Sequence, residues 1–383
     1  MHVALVTETW PPQVNGVALT VHALAHGLAA RGYRVEVLRP GMAMRDGEVE
    51  LVAAAGMRLP RYPGLQLGLP QPSRLRARWK RQTPDAVYIA TEGPLGASAM
   101  RAARALRIPV ATGFHTRFDD YCRHYGVGLL SRMVRRQLLR FHRRAQMTLV
   151  PTRALVDELQ GDGVAHARRL RRGVDTTLFS PQRRDASLRE SWKARADAPV
   201  LLHVGRVAAE KNLGLALQAF RALQSRLPHA RMVVVGDGPL RAALTVDHPE
   251  VHFAGTRHGT DLAAHYASAD LFLFPSLSET FGNVVLEAMA AGLPVIAFDR
   301  AAAQEHVVNG ISGLVLPSWD ARGFISSTFA LGMDGELRGT FGINARLAAQ
   351  RCAPEHVIVE FEALLDSLAR APQHAQHCVA AHA

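Results

Sequence analysis

The chain has 383 residues, 48% of them hydrophobic. That is too long for one ordinary core, so two domains with substantial apolar interiors are expected. The 45 Lys+Arg against 33 Asp+Glu give a net charge of +12, and the excess is one-sided: residues 1–180 carry 27 against 13, net +14, whereas 181–383 carry 18 against 20, net −2. Cys122, Cys352 and Cys378 are odd in number and lack Cys-x-x-Cys spacing, which indicates neither a disulfide framework nor a zinc site. No apolar run approaches the roughly 18 residues needed to span a bilayer.

The start, "MHVALVTETW", lacks the basic segment and apolar run of a signal peptide, so a cytoplasmic chain, soluble or peripheral on a membrane, is expected. It opens with the apolar strand "HVALVT" and a loop holding Pro11, Pro12 and Asn15-Gly16. A helix follows with Val21, Leu24, Ala25 and Leu28 on one face, and then the strand "RVEVLRP". "AVYIAT" and "PVATGFH" continue the alternation of strand and helix. At 199 the pattern restarts with "PVLLHVG", the loop "RVAAEKN", a helix through Leu215, Leu217 and Phe220, and "RMVVVGDG"; "LFLFPS", "PVIAF" and "GLVLP" follow. Two such starts predict two doubly wound α/β domains, over 1–178 and 179–354, with a linker near 171–185. The closing helix over 355–370 carries Val357, Phe361, Leu364, Leu365 and Leu368 on one face and needs a core to pack on, the N-terminal domain being one candidate. The tail 371–383 has no pattern and is expected to be disordered.

Ligands of open α/β sheets bind beyond the carboxyl ends of strands, at helix N-termini. Four loops of this kind carry candidate residues. Gly16 opens a helix where a backbone could approach a phosphate, although a plain β–α turn also explains it. Arg206 and Lys211 follow a buried strand and suit a diphosphate, the alternative being a salt bridge to Glu210. Glu279 lies in the turn "LSETFGN", and Glu287 lies eight residues on, inside an apolar helix. A carboxylate there needs donors, which the paired hydroxyls of a ribose or a structural partner such as arginine could supply. The amides of Phe281, Gly282 and Asn283 stand between the two acids at the helix start. His115 ends the strand in "PVATGFHTRF", either as a satisfied core residue or as a functional one.

The combination "NGVALT", "FHT", "GRVAAEKN" and "PSLSETFGNVVLEAMAAGLPV", in that order across almost the whole chain, resembles the retaining nucleotide-sugar glycosyltransferases of family 4, the Glu-x7-Glu element being the most specific part. The resemblance implies an α/β architecture of the GT-B type: two facing Rossmann-like domains with a cleft between them, the donor held mainly by the second and the acceptor by the first. It implies that Glu279 bonds the donor sugar, Glu287 the ribose hydroxyls, and that Arg206 and Lys211 neutralise the diphosphate. Gly16 and the 281–283 amides would complete the cradle, with His115 at the transferred sugar. Catalytic roles fall on His115, Glu279, Arg206 and Lys211. It implies front-face attack rather than two carboxylates about 5 Å apart acting as acid and nucleophile. No cofactor and no metal are expected, since no Asp-x-Asp occurs and cations supply the charge.

The segment "LLSRMVRRQLLRFHRR" reads as a basic amphipathic helix with Arg132, Arg135, Arg136, Arg140 and Arg143 available to an anionic membrane surface. "SRLRARWKR" adds a second basic patch with Trp79 as an interfacial anchor; a solvated arginine face is the plainer alternative. Several members of the family it resembles share the "PP-x-x-NGV" opening and glycosylate lipids, so the expected acceptor is a membrane lipid such as diacylglycerol or a phospholipid, with a soluble or polyprenyl-linked glycan as the alternative. The donor is a nucleotide-diphosphate sugar, with GDP-mannose favoured over UDP-sugars. A nucleic-acid partner would leave Glu279 and Glu287 without a role. A dehydrogenase is disfavoured because "GDGP" lacks the third glycine of a dinucleotide loop, and a nucleotide-sugar epimerase is the nearest enzymatic rival.

Overall fold

A computed structural model describes residues 1–13, 15–58, 66–115 and 128–370. The chain forms two compact units. Unit 1 is Met1–Arg172 together with the described residues from Glu355, and unit 2 is Gly173–Pro354. The first division falls inside the expected linker but before residue 178, because Val174 donates its N–H to the Cys352 carbonyl (2.9 Å) and joins the core of unit 2.

Unit 1 is built on β1 (His2–Val6), β2 (Arg34–Pro40), β3 (Met44–Asp46), β4 (Val49–Ala54), β7 (Ala86–Ile89), β8 (Val110–Gly113), β9 (Met147–Val150) and β10 (Ala167–Arg169); β5 (Gly56–Arg58) and β6 (Gln66–Gly68) pair separately as a small antiparallel ribbon. The sheet order is β10-β9-β8-β7-β1-β2-β4-β3, parallel except for β3. Side chains alternate between two buried faces. Val3 and Leu5 enter one core, Ala4 and Val6 the other, which is why these strands read as continuous apolar runs. The helix Gly16–Ala30 starts where the Asn15 side chain accepts the Ala18 N–H. The closing helix Pro354–Arg370 lays Val357, Phe361, Leu365 and Leu368 on the same core as Val3 and Leu5. The tail 371–383, including Cys378, and Cys122 lie outside the described residues. Cys352 is buried, its Sγ 3.6 Å from His306 Nδ1.

Unit 2 contains β11 (Val200–Val204), β12 (Arg231–Val235), β13 (His252–Gly255), β14 (Leu271–Phe274), β15 (Val295–Phe298) and β16 (Gly313–Leu316), in the all-parallel order β13-β12-β11-β14-β15-β16. Val200, Leu202 and Phe272 face one core; Leu201, Leu271 and Leu273 face the other. In each unit the chain first builds outward from one central strand and then crosses to its other side. The reversals lie between β1 and β7 and between β11 and β14, and these are the points where open sheets leave a crevice for a ligand.

Trp79 is not an interfacial anchor. It is 0% exposed, and its Nε1–H donates to Glu36 Oε1 (2.9 Å). Its place beside basic residues misleads; Leu75, one turn earlier, shares its buried face. Arg78 is drawn to Glu36 (2.7 Å) and Glu50 (2.8 Å). Among the described residues no helix is long and apolar enough to cross a membrane.

Candidate active site

In unit 2 the loops after β11 and β14 meet at the reversal point. The residues Ala209–Lys211 form a short 3-10 turn, and Lys211 reaches Glu279 Oε1 as an ion pair in which both side chains are largely shielded, 15% and 12% exposed. Ser276 donates to the same oxygen (3.0 Å), and the Lys211 ammonium lies 5.7 Å from the Phe274 ring centre. Glu279 is therefore oriented by one oxygen, and its Oε2 makes no bond among the described residues. Arg206 is 41% exposed and stands 3.9 Å from the buried Glu210 carboxylate. Both readings of this cation pair survive in part: Arg206 has an acidic neighbour in Glu210, whereas Lys211 is turned to Glu279.

The helix Asn283–Ala290 begins directly after this loop. Gly282, at φ +85°, ψ 67°, is its N-cap, a conformation that favours glycine, and among the described residues no side chain caps the first turn. The opening amides, without helical partners, are thus available to an oxygen anion. The Phe281 side chain is buried, leaving only its backbone for that purpose. Glu287 follows one turn in. The Tyr266 hydroxyl donates to its Oε2 (2.8 Å), and no arginine among the described residues pairs with it. Burial pushes the Glu287 carboxyl up to about 7, partly offset by the Tyr266 bond. Its Oε1 has no bond among the described residues, so the side chain keeps one acceptor to offer.

In unit 1, His115 follows β8. Its Nε2 lies 2.8 Å from the Tyr88 hydroxyl, and its Nδ1 accepts from Arg172. Arginine only donates, so Nδ1 carries the lone pair and Nε2 the proton. Burial, then the charges of Arg172 and His142, hold the imidazole well below its ordinary value, so it is neutral. A Cβ on Gly113 would collide with the Tyr88 hydroxyl and the His115 ring, which is why a glycine ends this strand. Gly16 opens its helix behind the Asn15 cap.

Several residues here escape sequence reasoning. Tyr266, Tyr88 and Arg172 are partners from distant segments, and Ser276 is a neutral hydroxyl three residues before the Glu279 it bonds. Glu8, just past β1, is different, because the strand-end rule that selected His115 also selects it. Leu95 N–H donates to Glu8 Oε1 (3.1 Å), and Thr91 Oγ1 accepts the Glu8 N–H (3.1 Å), so Glu8 bridges the reversal between β1 and β7. Burial raises its carboxyl to about 7, against the Leu95 bond and with help from Glu92. Of the basic helix, here Gly128–His142, Arg132, Arg136 and Arg140 are exposed and stand at successive turns. Arg135 instead pairs with Glu158 (2.9 Å) and Asp162, and Arg143, though exposed, bonds the Asp162 carbonyl, so neither belongs to an open docking face.

Two family models match the chain, described as "Glycosyltransferase Family 4" over residues 14–178 and "Glycosyl transferases group 1" over 198–332. The GDP-mannose-dependent alpha-mannosyltransferase of Mycolicibacterium smegmatis is 35% identical over 332 residues, spanning 85% of this chain and 86% of that one. The chain belongs to glycosyltransferase family 4. This glycosyltransferase is also similar to the alpha-monoglucosyldiacylglycerol synthase of Acholeplasma laidlawii, 26% identical over 93% of this chain and 94% of that one. The solved sucrose-phosphate synthase of Thermosynechococcus elongatus matches 96% of the transferase and 98% of its own chain, with a TM-score of 0.77 at 20% identity. The fold class is GT-B.

Proposed function

We propose that this transferase moves mannose from GDP-mannose to a lipid hydroxyl, with retention at the anomeric carbon and without a metal ion. The observation that carries the reading is the Glu279–Lys211 pair at the β11/β14 reversal, with Glu287 one helical turn beyond an uncapped helix start. Glu279 Oε2 would accept from sugar hydroxyls, and Glu287 Oε1 would accept from the ribose. As the anomeric C–O bond breaks, negative charge grows on the diphosphate, where Lys211, Arg206 and the amides of 282–283 can stabilise it. The departing phosphate then takes the proton of the acceptor hydroxyl as that hydroxyl attacks the same face. Glu279 suits positioning better than nucleophilic attack, because one of its oxygens is committed to Lys211 and Ser276. The donor is supported by the name of the Mycolicibacterium relative and the lipid acceptor by that of the Acholeplasma relative.

The exposed arginines 132, 136 and 140 support peripheral docking on an anionic leaflet, each worth on the order of 1 kcal/mol. Labelled GDP-mannose, incubated with the chain and anionic vesicles containing diacylglycerol or phosphatidylinositol, tests the reading. A mannolipid with an α-linkage, formed equally in EDTA, is expected. Sugar isomerisation without acceptor would replace the transferase by an epimerase, and loss of transfer in EDTA would overturn metal independence. Reversing the three arginines to Glu should release the chain from vesicles at low salt; unchanged pelleting would remove the docking argument.

A further inference from the structure

Unit 1 also gathers three side chains with metal-ligating atoms that the transfer reaction does not use. His22 and His26 stand one turn apart on the helix Gly16–Ala30, so both imidazoles leave the same face. The end of β3 brings Asp46 to them: its Oδ2 lies 3.5 Å from His22 Nε2 and 3.3 Å from His26 Nε2, and one ligand atom from each residue lies within 4.8 Å of the others. An ion bound tetrahedrally at about 2.0–2.1 Å sets neighbouring ligand atoms roughly 3.3 Å apart. The two histidine–carboxylate separations are close to that edge.

The surroundings fit a ligand set rather than a plain ion pair. His26 Nε2 is buried and, although 3.3 Å from the carboxylate, makes no well-formed hydrogen bond among the described residues. Trp10 lies over the pair, its ring centre 5.1 Å from His22 and 6.3 Å from His26, and its Nε1–H donates to Asp46 Oδ2 (3.3 Å). Such an outer bond orients a ligating carboxylate. Each side chain is about one-third exposed, so an ion can enter from solvent and a water can complete its shell.

We propose that His22, His26 and Asp46 bind a divalent first-row transition ion, Zn2+ by the character of the two imidazoles and one carboxylate, which clamps the first helix to the end of β3. The ion is structural. Its removal lowers thermal stability while the handling of the diphosphate by Arg206 and Lys211 continues.

Calorimetric titration of Zn2+ into the full chain, the His22→Ala/His26→Ala double variant and Asp46→Asn tests this. The histidines of the C-terminal tail are present in all three and cancel. The native chain should bind one equivalent more than the double variant and gain thermal stability on binding, while Asp46→Asn should hold that equivalent about tenfold or more weakly. Cu2+ should quench a tryptophan component, that of Trp10, which the double variant loses. Equal stoichiometry and affinity in the native chain and Asp46→Asn, with no site-dependent quenching, would overturn the proposal even if the double variant failed to fold. GDP titration of the same samples separates this outcome from any failure of the transferase reading.

Discussion

The two units solve the same topological problem differently. Each reverses its strand order around a central strand, and each places polar side chains where that reversal opens. In unit 1 the histidines beside it are satisfied: His115 is held at both ring nitrogens by Tyr88 and Arg172, and His142 Nε2 lies 3.2 Å from Glu92, while Glu8 takes the Leu95 N–H on Oε1. In unit 2, Glu279 and Glu287 each have one oxygen anchored and one left over, and the helix start between them is uncapped. A closed network fixes geometry, whereas a half-satisfied carboxylate awaits a donor. The difference is that unit 2 keeps carboxylate oxygens open to the hydroxyls of a ligand, whereas the histidines of unit 1 are fixed by their own partners.

The largest expected effect tests the anchored half of that contrast. Lys211→Met removes the shielded cation and should lower kcat about 10²- to 10³-fold, with a smaller change in KM, because the charge it meets develops mainly as the anomeric bond breaks. Steady-state rates check this, and an unchanged kcat would mean that Lys211 only holds the loop.

Glu287 gives the next effect, through pH. Its folded value of about 7 lies above the ordinary carboxyl value of 4.5, so the folded state binds its proton more tightly. This group's contribution therefore falls as pH rises from about 4.5 through about 7, and its burial cost is fully present above that window. Glu287→Gln removes the titration. Relative to the native chain, the variant should gain stability with rising pH, by at most about 3 kcal/mol, less the screening that its partial exposure allows. Urea unfolding at pH 5 and pH 8 measures the change; an identical difference at both would show that burial does not govern this carboxylate.

Gly113→Ala tests the closed network. The added Cβ must displace the Tyr88 hydroxyl or the His115 ring, at a cost of about 1–3 kcal/mol. Chemical unfolding should show that loss while GDP affinity, assigned to unit 2, stays unchanged. A variant that lost GDP binding without losing stability would break the division of roles.

Much of this was legible in the sequence. Apolar runs mark the strands because both faces of each sheet are covered, the loops at Arg206, Lys211 and Glu279 stand out as charged residues at strand ends, and Glu287 stands out as a carboxylate inside an apolar helix. What remained hidden was partnership at long range. Arg135 reads as one of five equivalent arginines, yet Glu158 and Asp162 lie on the next helix and just beyond it, and no local pattern announces them. Trp79 sits in a basic stretch, but its fate is decided by Glu36 on a neighbouring strand. Glu287 signals its need for a donor, whereas Tyr266, which meets half of it, does not. Glu8 is the opposite case: a carboxylate straight after an apolar strand, visible to the rule that found His115. The pair His22 and His26 shows one face of a helix, and only the fold adds Asp46.

The central claim is that Glu287 takes the ribose of a guanine nucleotide in unit 2. Calorimetric titration of GDP and UDP into the native chain and Glu287→Ala tests it most directly. GDP should bind in preference to UDP, and the variant should lose that binding while remaining folded. Binding of neither nucleotide by the folded native chain, or undiminished GDP binding by the variant, would contradict the account.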